Sequence, residues 1–95
     1  MYGTVARLRL KSGAEPRLQE IMKEYEHLDV PGFVRSVVYR MDSDSSEYYL
    51  TVVFQDREAY RANAESPAQN DRYQKMAALL DGEPEWHDGE VVYHG

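Results

Sequence analysis

One run of seven residues limits the folds that this 95-residue chain can adopt. Residues 48–54 read Tyr-Tyr-Leu-Thr-Val-Val-Phe, which are mostly the aromatic and β-branched types that strands favour. The run is apolar at odd and at even positions, whereas a strand with one face in water alternates between apolar and polar residues. It therefore predicts a central strand of a sheet whose two faces are both covered.

A strand and a helix are predicted ahead of this run. Alternating residues over Met1–Lys11 predict the strand, and Ser12 and Glu15 have the spacing of a capping box that begins the helix. An apolar stripe at i, i+3, i+4 and i+7 continues the helix to about His27. The members of this stripe are Leu18, Ile21, Met22 and Tyr25. The Pro31-Gly32 pair then turns the chain.

A hairpin is predicted from Phe33–Met41 and Glu47–Phe54, because the Asp and Ser residues at 42–46 between them are turn formers. In the first of its strands we assign Val34 and Val38 to one face and Phe33, Val37 and Tyr39 to the other.

A second helical region is predicted from an N-cap at Asp56 to about Leu80. Ser66, followed by Pro67 and then by Gln at the third helical position, is a second start signal, so we expect two helical pieces with a bend. A last strand is predicted over Glu85–His94.

The element order βαββαβ predicts one domain over residues 1–95 with a ferredoxin-like α+β fold. In this fold two helices cover one face of a four-stranded antiparallel sheet, and the first and third strands are central. The other sheet face keeps its apolar residues, and large exposed apolar patches are rare on monomers. We therefore expect a homodimer that forms through this sheet face about a two-fold axis.

Two arginines, Arg7 and Arg9, share a strand face with Val5 and would lie in that dimer interface. We expect them to pair with carboxylates such as Glu90 of the last strand. The alternative is that they bind an anionic substrate.

Charge and composition exclude several classes of function. Seventeen acidic residues against eleven basic ones give a net charge of −6, which disfavours nucleic acid and anionic membranes as partners. The chain has no cysteine, so disulfides and thiolate chemistry are excluded. No apolar run approaches the ~20 residues of a membrane span, and nothing resembles an export signal, so we expect a cytoplasmic protein.

Several local segments, taken in order, resemble the antibiotic biosynthesis monooxygenase (ABM) type domain of the dimeric α/β-barrel superfamily. The segments are Lys11-Ser12-Gly13, Pro31-Gly32-Phe33, Tyr48–Phe54, Asp56-Arg57-Glu58-Ala59-Tyr60, Ser66-Pro67, and Pro84 before a strand with Gly89. The resemblance covers nearly the whole chain and concerns mainly the fold, so the function has to be argued from the site.

That superfamily includes cofactor-free oxygenases of polycyclic phenols, haem-degrading oxygenases and isomerases. The asparagine, tryptophan and histidine landmarks of the haem-degrading branch are missing, because Ala6 and Asn63 stand at the first two positions and residues 62–80 hold no histidine. The resemblance thus implies a cofactor-independent monooxygenase of a small aromatic, polycyclic phenolic substrate. The alternatives are a non-catalytic ligand-binding or dimerisation module, and an isomerase or lyase with a histidine or carboxylate base.

Candidate site residues are those predicted to face the space between the helices and the sheet. Asn63 lies on an apolar stripe and needs a hydrogen-bond partner, which is either backbone at the helix break or a substrate oxygen. We assign catalytic roles to Asn63 and Tyr73, with Tyr73 as pocket wall or proton relay. We assign substrate binding to Tyr25, Tyr60 and Trp86, since an aromatic pocket with few polar groups suits a flat oxygenated ligand.

The acidic stretch at residues 81–90 contains acceptable metal ligands, because Glu83, Glu85 and His87 alternate onto one face. Pro84 and the density of charge are more typical of a solvated edge strand. We therefore expect neither a metal site nor a cofactor.

Overall fold

Four antiparallel strands and three helices make up the computed structural model, which describes all residues 1–95. The strands are β1 (Tyr2–Arg9), β2 (Phe33–Arg40), β3 (Glu47–Phe54) and β4 (Glu85–Glu90), and the helices are α1 (Glu15–Glu26), α2 (Arg57–Ala64) and α3 (Pro67–Ala77). The sheet order is β2-β3-β1-β4, so β1 and β3 are central as predicted. The ferredoxin-like α+β class is confirmed. No helix has both the length and the hydropathy needed to cross a membrane.

The hydrophobic core lies between the helices and one face of the sheet. Even-numbered residues of the central strands supply its floor, and Ala6, Leu8 and Leu50 are at most 3% exposed. Leu18 of α1 and Met76 of α3 pack onto this floor from the helices. The prediction that the alternating residues of β1 divide into an inner and an outer set is therefore confirmed.

The second helical region is broken, as the sequence predicts. Asp56 Oδ1 accepts a hydrogen bond from the Ala59 backbone N–H at 2.8 Å and caps α2. Ser66 Oγ accepts from the Gln69 backbone N–H at 3.1 Å and caps α3. The break carries Asn63 at the end of α2 and Tyr73 on α3 to the same space above the sheet.

The capping box predicted for α1 is wrong. The N-cap residue is Ala14, and no side chain accepts a hydrogen bond there. The Glu15 carboxylate instead accepts hydrogen bonds from the Tyr48 hydroxyl and from Arg40 Nη1, both at 2.7 Å. Because these partners belong to neighbouring strands, tertiary contacts override the local signal.

The last strand is shorter than predicted. It ends at Glu90, which lies opposite Tyr2 at the beginning of β1. Val91 N–H still donates to the Met1 carbonyl at 2.9 Å, but no residue of β1 remains to pair with those that follow. Val92 and Tyr93 are accordingly 95% and 85% exposed.

A β-bulge corrects the faces assigned to β2. Phe33 pairs with Phe54 and Arg35 with Val53, so one extra residue lies between them. An inserted residue moves all preceding side chains to the opposite face. Phe33 therefore lies on the helix side, with its ring centroid 5.0 Å from that of Tyr25, and does not share a face with Val37.

The sheet face away from the helices, called the open face below, carries residues of all four strands. Its apolar and hydroxyl-bearing residues are Val5, Val37, Tyr39, Tyr49, Thr51 and Val53. Val5 is 45% and Tyr39 54% exposed.

The two arginines of the open face pair within the chain, but not with the predicted Glu90. Arg7 contacts Glu47 at 2.6 Å and Glu85 at 3.0 Å. Arg9 contacts Asp44 at 3.1 Å. Glu90 cannot reach them because the β1–β4 register places it opposite Tyr2, on the helix side of the sheet.

Candidate functional site

A cavity of about 330 Å³ lies between the helices and the sheet. This volume is at the lower end of the range of about 300–1,000 Å³ that is typical of ligand pockets. Its walls are mostly hydrophobic, with Leu50, Val52 and Phe54 of β3 forming part of the floor. The cavity thus suits one small, apolar molecule.

All five site residues predicted from the sequence line this cavity. Tyr25 comes from α1, Tyr60 and Asn63 from α2, Tyr73 from α3, and Trp86 from β4. The Tyr73 and Trp86 rings lie with centroids 6.2 Å apart and form one aromatic wall. The fold therefore brings the five together, whereas their roles toward a substrate stay predictions.

Asn63 is bound by a residue that the sequence did not single out. Arg72 Nη2 donates to Asn63 Oδ1 at 3.2 Å, and Arg72 Nε donates to Gln69 Oε1 at 3.0 Å. All three side chains line the cavity. The only signal in the sequence is the i, i+3 spacing of Gln69 and Arg72 on one helix, which is equally common on solvated helix faces.

Arg72 also acts on Tyr25. Its guanidinium carbon lies 5.3 Å from the centroid of the Tyr25 ring, which is a cation–π contact. Burial raises the pKa of the Tyr25 hydroxyl, while the Arg72 charge and hydrogen bonding by Asn63 oppose the rise. Because the net shift is upward, Tyr25 presents a neutral hydroxyl at physiological pH.

The electrostatics of the cavity are one-sided. No aspartate, glutamate, histidine or lysine lines it, so Arg72 carries the only formal charge among the lining residues at neutral pH. In surroundings of low dielectric, that positive charge favours a bound group that carries or develops negative charge. The lining thus combines apolar walls with one cation, which favours a ligand that has an apolar body and a negatively charged group.

Tyr60 connects the cavity to the protein surface. Its ring packs edge-on against Tyr2 and Phe54, with centroids 5.3 and 5.7 Å away. Its hydroxyl donates to Asp88 Oδ1 at 2.9 Å, and Asp88 is an exposed residue of β4 that does not line the cavity. Burial and the hydrogen bond to Asp88 raise the pKa of Tyr60 to about 12.

The acidic stretch considered for metal binding lies elsewhere. Glu85 and His87 project to the open face, with Glu85 Oε1 and His87 Nε2 3.5 Å apart. No group of three His, Asp or Glu side chains in the chain has an arrangement that would hold a metal ion.

Comparison with known proteins gives a family and a set of similar folds. The family model described as antibiotic biosynthesis monooxygenase matches residues 1–77. No curated protein matches the chain significantly.

Two structures of SnoaB from Streptomyces nogalater, described as a cofactor-independent oxygenase, are similar to this chain. One is an asparagine-to-alanine mutant, with a TM-score of 0.80 and 20% identity over 98% of this chain and 94% of SnoaB. The other has a TM-score of 0.73 at 20% identity, over 96% and 94% of the two chains.

Two further structures come from other organisms. A protein of Chloroflexus aurantiacus J-10-fl, whose name carries the same family description, is 25% identical with a TM-score of 0.75, over 99% of this chain and 96% of its own. A conserved protein of Methanosarcina mazei Go1 is 17% identical with a TM-score of 0.77, over 93% and 89%. Since the family model covers most of the sequence and the folds agree over nearly all of it, the chain belongs to the antibiotic biosynthesis monooxygenase family.

Proposed function

We propose that the chain is a cytoplasmic, homodimeric monooxygenase that needs no cofactor and oxidises a small aromatic, polycyclic phenolic molecule. The observation that carries this proposal is the Asn63–Arg72 pair, a hydrogen-bond donor and a cation in an otherwise apolar and aromatic cavity. The description of SnoaB as a cofactor-independent oxygenase supports the reaction type.

In the proposed reaction the substrate itself reduces dioxygen, so the protein needs few catalytic groups. The substrate loses a proton, and its electron-rich anion reduces dioxygen directly. One oxygen atom enters the substrate, the other leaves as water, and the substrate supplies the electrons. The protein contributes orientation, exclusion of water and stabilisation of the oxyanion.

Asn63 is oriented for such stabilisation. Because Arg72 donates to its Oδ1, the amide group of Asn63 has two N–H donors, one for the neighbouring Tyr25 hydroxyl and one for a substrate oxygen. Arg72 is itself held by Gln69, so the pair is fixed before a ligand binds. A preorganised donor of this kind stabilises developing negative charge without having to rearrange during the reaction.

The aromatic residues supply the shape of the site. Tyr73 and Trp86 form the wall against which a flat ring system stacks. We assign Tyr73 the further role of a hydroxyl donor to the substrate. Tyr25, a neutral hydroxyl next to Arg72, is a further donor to the substrate.

Dioxygen uptake by the purified, metal-stripped protein tests this function, with a panel of anthrones and naphthols and with correction for autoxidation. We expect turnover that survives a chelator. In Asn63→Ala, kcat should fall about 10²–10³-fold, the loss typical of removing one oxyanion donor. The melting temperature should change by less than the ~4–8 °C that accompanies a loss of ~1 kcal/mol in a domain of this size.

The matched control is Gln74→Ala, since Gln74 is exposed on α3 and does not line the cavity. Its turnover should equal that of the wild type. No uptake across the panel would favour the ligand-binding module instead. A large fall in the melting temperature of Asn63→Ala would assign Asn63 a structural role.

The homodimer is proposed from the open face. Val5, Tyr39 and their neighbours leave there a mixed patch of apolar and paired charged side chains exposed to water. A second copy packed about a two-fold axis covers the patch on both chains at once. The ion pairs of Arg7 and Arg9 on this face are made within each chain, so a second copy can cover these two arginines without taking away their partners.

A further inference from the structure

The cavity lining offers Asn63 and Arg72 to an anion but includes no carboxylate or imidazole that could form one by accepting a proton. The reaction proposed above begins with the loss of a proton from the substrate, and a base has to accept it. The lining residues include no carboxylate and no imidazole, and Arg72 stays protonated. A protein group that accepts this proton therefore lies outside the lining of the cavity.

Tyr60 is the lining residue that makes such a connection. Tyr60 lines the cavity, and its hydroxyl donates to Asp88 Oδ1 at 2.9 Å. Asp88 is exposed on β4, so its carboxylate is in contact with water. Tyr60 thus links the cavity to a carboxylate at the protein surface.

We propose that Asp88 is the terminal proton acceptor of the reaction and that it acts through the Tyr60 hydroxyl; this inference rests on the proposed function. The substrate C–H or O–H bond breaks and its proton passes to Tyr60 Oη. The original Tyr60 proton passes to Asp88 Oδ1, which becomes a neutral carboxylic acid and releases that proton to water. The electron pair stays on the substrate, whose oxyanion faces Asn63 and Arg72. No oxidant takes part in this step.

The strand register builds this connection. Asp88 lies opposite Thr4 in the β1–β4 pair, on the helix side of the sheet, and α2 holds Tyr60 above both. Thr4 lines the cavity, and its Oγ1 is buried without a hydrogen-bond partner in the chain. That orphaned hydroxyl is available to donate to Tyr60 Oη while the proton is in transit.

The other groups around Tyr60 do not compete for the proton. Tyr2 packs against its ring, and the Arg57 guanidinium carbon lies 5.4 Å from the Tyr2 ring centroid. Glu90, opposite Tyr2, is the other carboxylate on this side of β4, and it makes no hydrogen bond to Tyr60.

The acidity of Tyr60 decides how the step runs. Since burial and Asp88 raise its pKa to about 12, free tyrosinate is scarce at neutral pH. Tyr60 can therefore give up its proton only as it receives another. It is a relay, and the carboxylate behind it determines the direction of transfer.

Deuterium exchange at the methylene carbon of anthrone, measured by NMR under strictly anaerobic conditions, isolates this step from the reaction with oxygen. The wild-type protein should accelerate exchange above the buffer rate. Asp88→Asn keeps the shape of the side chain and Tyr60→Phe keeps the ring, and each should lower the exchange rate about 10²-fold or more. The double variant should be no slower than the slower single one, because both residues serve one path.

Glu90→Gln is the matched control, a carboxylate removed from the same side of the same strand, and it should leave exchange unchanged. Asp88→His should restore part of the rate. Its rate should fall at a higher pH than that of the wild type as the solution is acidified, because imidazole titrates near ~6.5, above a carboxylic acid. A structural role for Asp88 would not move the pH profile in this way.

Wild-type exchange with unchanged rates in Asp88→Asn or Tyr60→Phe would overturn the relay, as would an additive double variant. Dioxygen uptake is measured on the same samples, and it separates the two proposals. Exchange that depends on Asp88, without uptake, would keep the relay and reject the monooxygenase. Dioxygen uptake that is unchanged in Asp88→Asn would keep the monooxygenase and reject the relay.

Discussion

For Asn63, the sequence predicts that its side chain needs a hydrogen-bond partner but does not identify that partner. A polar side chain on an apolar helical stripe has to form a hydrogen bond, because leaving it unpaired when buried costs free energy. The partner is the Arg72 side chain, nine positions later and on the far side of the helix break. Asn63 Oδ1 is therefore bound by a side chain, whereas the sequence suggested backbone at the break or a substrate oxygen. Arg72 thereby becomes the residue whose charge defines the cavity.

Removing the Arg72 charge should weaken binding of anions selectively. Arg72→Met keeps much of the apolar length of the side chain and should raise the Kd of ionised 4-nitrophenol about 10-fold or more, since hydrogen bonds to charged groups contribute ~1.5–3 kcal/mol. The Kd of neutral 4-nitrophenol should change little. Absorbance titrations on either side of the ligand's own pKa provide both values.

Arg61→Met is the control, because Arg61 is exposed on α2 and does not line the cavity. Equal losses of affinity for the neutral and the ionised ligand would contradict the assigned electrostatic role of Arg72.

The turn between β2 and β3 contains a carboxylate whose titration is set by its neighbours. Asp44 Oδ1 accepts from the Ser46 Oγ at 2.7 Å and from the Ser46 N–H at 2.9 Å, and Arg9 Nη2 donates to Oδ2 at 3.1 Å. These bonds lower the pKa of Asp44 from 3.8 to about 2. Because the pKa of Asp44 is lower in the folded than in the unfolded chain, its ionised carboxylate stabilises the fold at pH values above the pKa of the unfolded chain. This contribution is lost as the pH falls through about 2, the pKa of the folded chain.

Ser46→Ala removes the largest cause and should raise the pKa of Asp44 toward its ordinary value. A carbon-13 NMR titration of the carboxyl carbon from acidic to neutral pH measures the midpoint. Ser45→Ala, an exposed neighbour in the same turn, should leave the midpoint where it is. An unmoved midpoint in Ser46→Ala would reject this account.

At the scale of elements, two serines with similar local patterns behave differently. Ser12 and Ser66 both precede a helix that has proline near its beginning and Glu or Gln three positions after the serine. Only Ser66 caps its helix, whereas α1 begins after Ala14 and its Glu15 binds Tyr48 and Arg40. A capping motif shows that a side chain could accept hydrogen bonds from the first turn of a helix. Whether it does so depends on the tertiary contacts of the residues in the motif.

Ser66→Ala should therefore cost about 1 kcal/mol of unfolding free energy, the typical loss for an N-cap. Ser12→Ala should cost much less, because no helix hydrogen bond depends on its side chain. Urea denaturation of the two variants beside the wild type gives the comparison. Equal losses would mean that the cap at Ser66 does not stabilise α3.

For the whole molecule, the uneven cover of the sheet is the main feature. On one face the helices cover the central strands, where Ala6, Leu8 and Phe54 are at most 1% exposed. The open face leaves Val5 and Tyr39 about half in water. A second copy on this face would complete the cover that the doubly apolar β3 strand predicts.

Light scattering at micromolar concentration should therefore give twice the mass of one chain. Val5→Lys places a charge in the middle of the open face and should shift the population toward monomer. Val92→Lys makes the same change in the tail, where the side chain is 95% exposed, and should leave the dimer intact. A monomeric wild-type chain would contradict the proposed assembly.

Much of the architecture follows from local patterns, because strand alternation, helical stripes and turn residues act over short stretches of chain. These patterns predict the element order, the central positions of β1 and β3 and the break at Ser66. They predict less well where an element depends on a distant partner. The end of β4 is set by where β1 begins, and the face of Phe33 is set by a bulge.

The sequence by itself determined the fold class, the inward face of β1 and a set of five aromatic and amide residues that line one cavity. Only the tertiary structure decided the electrostatics of that cavity. It placed Arg72 on Asn63 across a helix break and Asp88 behind Tyr60 through a strand register. Charges act through space, and the distance between two side chains depends on how whole elements pack, which no local pattern encodes.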